Sequence, residues 1–267
     1  MLPPVTDDGA AIVTGASSGI GEQIARELAR RGYRLVLVAR RTELLEKLAA
    51  SLDGITHVLP TDLSKRAQRA ALPDQVAALG IVPNILVNNA GLGTLGPIAR
   101  SDPEAELNVV EVDVAAVVDL CCRIVPGMVS RGRGAVLNVS TIGAFGPLPG
   151  QASYGASKAF VLSYTDALRE ELRGTGVTAA TLCPGPVHTG FGEAMGIPDE
   201  EAEKSLPKFL WREADEVAKI AIDGLAKGTR VIVPGAPNRI ASVIFDHAPR
   251  RLLLPLIARN HPGLKKA

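Results

Sequence analysis

The sequence predicts an α/β domain built on a parallel sheet with helices on both faces. Three observations carry this. Short runs rich in Val, Ile and Leu recur along the chain without apolar–polar alternation, as strands buried on both faces require. Segments with helical spacing separate these runs, the pattern that right-handed crossovers between parallel strands produce. The 267 residues, 46% of them hydrophobic, suffice for one sizeable core, and no linker, repeat or low-complexity stretch divides them. A single domain is therefore expected.

In order, the strand runs are "AAIVT" (10–14), "RLVLVA" (34–39), "ITHVLP" (55–60), "NILVN" (84–88), "GAVLNVS" (134–140), "VTAATLC" (177–183) and "RVIVP" (230–234). Between the first two, Ile20, Ile24 and Leu28 repeat at helical spacing, and Gly32 follows as a helix stop. Aromatic residues make up only 3% of the chain while Ala, Val, Leu and Gly abound, which suits helices lying close on a buried sheet.

The formal charge is +1 and there is no basic stripe interleaved with aromatics, which argues against a nucleic-acid partner. Cys121, Cys122 and Cys183 lack the CxxC spacing of a zinc or redox site, and no metal site is expected. They read as small core residues in a reducing cytoplasm. The start "MLPPVTDDG" has neither a basic nor an apolar stretch and does not read as a signal peptide. No apolar run approaches the roughly 20 residues of a transmembrane helix.

Directly after the first strand run comes "TGASSGIG" (14–21), followed by a helix. Such a turn brings backbone N–H groups to the positive end of a helix, where a pyrophosphate binds. Gly15, Gly19 and Gly21 permit the tight turn, the approach of the ligand and close helix packing. Ser17, Ser18 and Ile20 complete the same cradle.

"TGASSGIG", "NNAG" (88–91), "YGASK" (154–158) and "PGPVHTGF" (184–191) occur in this order. Together they resemble the short-chain dehydrogenase/reductase family over roughly residues 8–235. The resemblance implies a doubly wound, Rossmann-like, seven-stranded parallel sheet. It also implies a nicotinamide cofactor across the C-terminal ends of the strands and a homodimer or homotetramer.

Ser140, Tyr154 and Lys158 are the candidate catalytic residues. Tyr154 and Lys158 stand at i and i+4 and share a helix face. An ammonium beside a phenol favours the phenolate and is expected to lower its pKa from near 10. Ser140 ends a buried strand, where ligands bind in open sheets, and its hydroxyl is expected to hold a substrate carbonyl beside the phenol. Tyr154 then donates or accepts the proton while the cofactor handles the hydride. The resemblance further implies that Lys158 bonds the nicotinamide ribose. The family carries an asparagine before the Ser140 strand; here Asp113 stands at that position, with Asn108 more than a turn away. Its carboxylate could pair with Lys158 and alter the tuning of Tyr154.

The second strand run ends with Ala39, Arg40 and Arg41, where an NAD-preferring site would place an acid. A guanidinium can grip the 2′-phosphate of NADP, so NADP is the expected cofactor, with Arg40 first and Arg41 supporting. By resemblance, the Asp62 carboxylate accepts from the adenine amine and Leu63 contributes backbone, although Asp62 also reads as the cap of a helix opening "DLSKRAQ". Asn89, Ala90 and Gly91 should line the cofactor channel, and Pro184, Gly185, Val187 and Thr189 the carboxamide end. Tyr154 and Lys158 also face the cofactor. His188 reads as a loop residue.

Residues 190–211 are expected to form a lid over the substrate, and residues 142–150, with Phe145 and Leu148, the opposite wall. That wall favours an apolar carbonyl compound or secondary alcohol. Residues 236–267 form a C-terminal extension. Its apolar residues Ile240, Val243 and Ile244, with Arg250, Arg251 and Arg259, read as an oligomer contact or lid, the alternative being a lipid surface. The expected activity is an NADP-dependent oxidoreductase; the rival is an NADP-binding regulator or scaffold on the same fold.

Overall fold

The computed structural model describes residues 2–195, 206–260 and 262–265. Strands β1 (Gly9–Thr14), β2 (Arg34–Ala39), β3 (Thr56–Pro60), β4 (Val82–Asn88), β5 (Gly134–Val139) and β6 (Val177–Leu182) coincide with the expected runs. β7 (Val187–His188) and β8 (Arg212–Glu213) pair as a separate ribbon, and β9 (Val231–Ile232) is a shortened form of the last run. The main sheet has seven strands in the order β3-β2-β1-β4-β5-β6-β9, all parallel. The chain winds outward from β1 to β3, then returns to β4 and winds the other way. The crevice between the C-terminal ends of β1 and β4 is thus the switch point where a doubly wound sheet binds its ligand.

Period-two alternation builds two cores from the same strands. Ala11, Val13, Leu35 and Leu37 face one side with Ile85 and Val87; Ala10, Ile12, Val36 and Val38 face the other with Leu86. Helices α1 (Gly19–Arg30) and α2 (Thr42–Ala50) cover the first face through Ile24, Leu28, Leu45 and Leu48. α3 (Arg66–Ala78) contributes Leu72 and Val76 to the second. Each such aliphatic, fully withdrawn from water, contributes roughly 1.5–3 kcal/mol. Gly32, just past α1, has φ +84°, the left-handed geometry that ends a helix.

A long helix then crosses the second face. It begins as α4 (Pro103–Val110), with Asp102 accepting from the Glu104 N–H at 3.2 Å. It passes through a π-helical turn, Glu111–Ala115, and continues as α5 (Ala116–Ser130). The wide turn carries Asp113, which is fully buried. α6 (Ala152–Glu171) lies beside it and buries Lys158, Val161 and Leu168. A short turn of helix, α7 (Phe191–Ala194), precedes α8 (Ala214–Ala226), which completes the first face with Val217, Ala221 and Leu225.

The C-terminal extension forms α9 (Ala236–His247), α10 (Arg250–Asn260) and α11 (Pro262–Lys265). α9 packs on the 3₁₀ turn Ile142–Phe145, and Leu253 is buried beside Gly146. Ile240, Val243, Ile244 and Leu252 are exposed. Among the described residues, no helix is long and apolar enough to cross a membrane.

Candidate active site

The glycine turn after β1 is clasped by the ends of β4 and β6. Gly15 and Gly19 have φ +65° and +59°. A Cβ on Gly15 would lie 2.8 Å from Ala90 Cα, one on Gly19 3.0 Å from Thr189 Cβ, and one on Gly21 would run into the Asn89 amide and the Gly15 carbonyl. The backbone N–H groups of Asn89 and Ala90 both donate to Thr14 Oγ1, at 2.9 and 3.0 Å. The Asn89 side chain donates to the carbonyls of Thr14 and Gly15 at 3.0 and 3.3 Å. Asn89 and Ala90 therefore hold the turn in shape. Ser18 is the N-cap of α1, yet its side chain makes no capping bond, which leaves the first-turn N–H groups facing the crevice. Ile20 packs against the first core.

Arg41 reaches back over this turn, donating from Nη2 to Ser17 Oγ at 2.9 Å and Ser18 Oγ at 2.8 Å. Arg40 is exposed and its charge acts on Asp62. The structure thus places Arg41 against the glycine turn and Arg40 on the third-strand side. Asp62 Oδ1 accepts from the Ser64 N–H at 3.0 Å and its hydroxyl at 2.8 Å. It caps the turn ahead of α3, where Lys65 is the N-cap, rather than the helix itself. Burial alone would lift its carboxyl, but the Ser64 bonds and the charges of Arg40 and Lys65 outweigh that and hold it below the usual carboxylate range. Leu63 is buried, and its carbonyl accepts from Arg69 at 2.9 Å.

Tyr154 and Lys158 share the α6 face as expected, with the Lys158 ammonium 5.8 Å from the Tyr154 ring centroid. Lys158 Nζ donates to Val139 O at 3.1 Å and forms an ion pair with Asp113 Oδ2 at 3.0 Å. Asp113 Oδ1 accepts from the Leu92 N–H at 2.7 Å. Oδ2 makes no well-directed hydrogen bond, so its stabilisation rests on the Lys158 charge. Burial is the largest influence and leaves the Asp113 carboxyl above its ordinary value, with Lys158 and the Leu92 N–H opposing it. Gly91 lies over this pair: a Cβ there would stand 3.1 Å from Lys158 Nζ.

Two expectations need correction. Ser140 is buried, and its hydroxyl donates to the main-chain oxygen of Lys158 at 2.7 Å. The Thr141 hydroxyl is the one that acts on the Tyr154 phenol; it donates to Pro184 O at 3.4 Å and accepts from the Gly143 N–H at 3.3 Å. Asn138 points at the body of α6, bonding Thr165 at 2.8 Å, and Ser140, two residues on, points the same way; Thr141 follows past the end of β5 as the N-cap of the 3₁₀ turn Ile142–Phe145. Second, the Tyr154 phenol is held above its ordinary value, not below it. The ring is half-buried with its hydroxyl end enclosed; burial is the main cause and the Asp113 charge adds to it, with Thr141 opposing.

On the β6 side, Pro184 O accepts from the Ile142 N–H at 2.9 Å, and Gly185 lies against Asn238 of α9. Val187 pairs with Arg212 in the ribbon, and Thr189 lies against Gly19. His188 stacks on Trp211 at 4.7 Å between ring centroids. Phe191 packs on Tyr154 with centroids 5.8 Å apart, and the Gln151 amide reaches Met195 Sδ at 3.3 Å. The start of the expected lid, 190–195, thus covers Tyr154; residues 196–205 lie outside the described residues. Leu148 packs on Gly143 and Gly155.

The family model described as short chain dehydrogenase matches residues 9–198. The chain belongs to the short-chain dehydrogenase family. It is 33% identical over 255 residues, 91% of its length and 96% of the relative's, to a protein of Myxococcus xanthus named an uncharacterized oxidoreductase. Among solved structures it is similar to a short-chain dehydrogenase from Sphingobium yanoikuyae in complex with NADPH: TM-score 0.78, 30% identity, covering 97% of this chain and 95% of that one. It is also similar to a short-chain dehydrogenase/reductase from Burkholderia phymatum in complex with NAD: TM-score 0.80, 25% identity, covering 94% and 95%.

Proposed function

We propose that this chain is an NADP-dependent oxidoreductase that interconverts an apolar carbonyl compound and its secondary alcohol. The observation that carries the reading is the meeting of Thr141, Tyr154 and Lys158 at the C-terminal edge of β5, beside the glycine turn. The cradle suits a dinucleotide: Gly15 and Gly19 let the turn close on Ala90 and Thr189 with no side chain of its own, and the first turn of α1 has no side-chain cap.

In this reading Gly15, Ser17, Ser18, Gly19, Ile20 and Gly21 hold the pyrophosphate side, with Arg41 and Arg40 at the 2′-phosphate. Asp62 and Leu63 border the adenine. Asn89, Ala90, Gly91, Pro184, Gly185, Val187 and Thr189 line the nicotinamide side with Tyr154 and Lys158. The bound cofactor supplies or accepts the hydride. Thr141 donates to the substrate oxygen and keeps it against the phenol. Tyr154 gives its proton to that oxygen in reduction and takes one from the alcohol in oxidation. Lys158 fixes the Tyr154 side of the site through its bond to Val139. Phe191, Met195 and Leu148 exclude water and favour an apolar substrate, with residues 190–211 as the lid.

NADP is supported by the two arginines and by the absence of an acid at 39–41; the Sphingobium yanoikuyae structure holds NADPH and the Burkholderia phymatum structure NAD. A homodimer or homotetramer is supported by exposed Leu107, Val110 and Phe160 on the neighbouring helices α4 and α6. A cytoplasmic setting is supported by the free thiols of Cys121, Cys122 and Cys183. The test mixes purified protein with NADPH or NADH and a panel of ketones and aldehydes. Consumption of NADPH with apolar carbonyls, lost in Tyr154→Phe, is expected. Binding of NADPH with no turnover of any carbonyl or alcohol would instead favour a regulator.

A further inference from the structure

Asp113 changes the charge that Tyr154 sees. An asparagine at this place would leave the Lys158 ammonium as a whole positive charge beside the phenol. Here Asp113 Oδ2 stands 3.0 Å from Lys158 Nζ, both side chains are buried, and the Leu92 N–H anchors the other carboxylate oxygen at 2.7 Å. The pair is neutral as a unit and is held away from solvent, which cannot screen or replace it.

The groups around Tyr154 and this pair are few among the described residues. α6 contributes Lys158 and the π turn Asp113. The loop after β5 contributes the Thr141 hydroxyl, and the segment after β7 the Phe191 ring. The loop after β4 contributes the backbone of Gly91 and Leu92. At the end of β6, burial pushes the Cys183 thiol up to about 12, so it stays neutral. Among the described residues, no second cation is recorded as acting on Tyr154 or on this pair.

We infer that Asp113 is a positioning residue that cancels the Lys158 charge beside Tyr154, so that the phenol stays protonated through neutral pH and the site is a proton donor there. This rests on the oxidoreductase reading above and adds its pH window. Reduction needs the phenol and proceeds across neutral pH; oxidation needs the phenolate and gains about tenfold per pH unit as the phenolate fraction rises. Both directions share one group, so the upper limb of reduction and the lower limb of oxidation both report the Tyr154 phenol. An asparagine is isosteric with protonated Asp113. It therefore uncovers the Lys158 charge without emptying the site.

The test titrates the cofactor-free protein by near-ultraviolet phenolate absorbance. The chain has three tyrosines, and the difference between the unmutated protein and Tyr154→Phe isolates Tyr154. The expected Tyr154 step lies above the ordinary phenol value near 10 and falls by about one to three pH units in Asp113→Asn. Asp113→Glu, which keeps the charge, leaves the step high and serves as the control if Asp113→Asn folds poorly; a step lowered as far by Glu as by Asn would show that packing rather than charge is at work. A step below about 10 in the unmutated protein, or one that does not move in a folded Asp113→Asn protein, overturns the inference. With an active substrate, both pH–rate limbs shift together. If no carbonyl is turned over, the oxidoreductase reading fails, while the phenolate titration still decides the role of Asp113.

Discussion

The Ser140 hydroxyl is bonded to the main-chain oxygen of Lys158 at 2.7 Å, one residue before the threonine whose hydroxyl meets Tyr154. The two positions are therefore expected to behave differently. Thr141→Val lowers kcat by about 10²–10³, the usual loss for a donor aimed at a developing oxyanion, while Thr141→Ser retains most of it. Ser140→Ala costs stability, about 1 kcal/mol for a buried hydrogen bond, and much less of kcat. Steady-state rates with thermal melts of the three variants check this. An equal collapse of kcat in Ser140→Ala and Thr141→Val would return the substrate contact to Ser140.

Tyr154→Phe keeps the ring that packs on Phe191 and removes only the proton-bearing oxygen. Cofactor binding is expected to persist while turnover falls by about 10²–10⁴-fold. Fluorescence titration with NADPH and a turnover assay separate the two effects. Near-normal turnover would take the proton transfer away from this residue.

NADPH is expected to bind at least about tenfold more tightly than NADH, because a bond from a guanidinium to a phosphate contributes roughly 1.5–3 kcal/mol. Arg41, already bonded to Ser17 and Ser18, carries the larger share. Arg41→Ala and Arg40→Ala should each weaken NADPH and leave NADH nearly unchanged. Calorimetric titration of both cofactors against each variant measures it; equal losses for the two cofactors would mean that the arginines do not read the 2′-phosphate.

The thiols of Cys121 and Cys183 are both pushed by burial from 9.0 up to about 12. The shift of about three units lowers the thiolate fraction about 10³-fold, so both resist alkylation at neutral pH, while exposed Cys122 reacts. Mass spectrometry should find one fast adduct in the native protein and three after denaturation. The same shift sets a sign for stability. Between pH 9 and about 12 the unfolded chain has lost these protons and the folded one keeps them. Each thiol therefore removes about 1.4 kcal/mol of stability per pH unit as pH rises through that window. A flat denaturation midpoint from pH 9 to 12 would contradict the buried assignment.

Strands β1 to β6 were legible because a strand buried on both faces leaves a run of aliphatics that little else produces. β9 is shorter than its run because it pairs only along Thr181 and Leu182 at the sheet edge. The glycine turn and the Tyr154–Lys158 pair were legible as local spacings. The bond that turns the Ser140 hydroxyl to the main-chain oxygen of Lys158 was not legible, because it depends on how α6 packs against the end of β5. The place of Asp113 could be read, but the height of the Tyr154 phenol could not. It depends on how deeply three elements enclose it.

The π turn at Glu111–Ala115 has a further consequence, for which changes of length this chain tolerates. One residue advances an α-helix by about 100°. The wide turn takes up one residue beyond the α-helical period, so α4 and α5 keep the faces of an unbroken helix. Removing a residue outside the turn would rotate α4 against α5 by that angle, and Asp113 would leave Lys158 or Leu120, Ile124 and Met128 would leave the sheet. Removing one from within the turn would restore the ordinary period and leave those faces in place. The turn is thus the point between Asp102 and Ser130 where a change of length disturbs the core least.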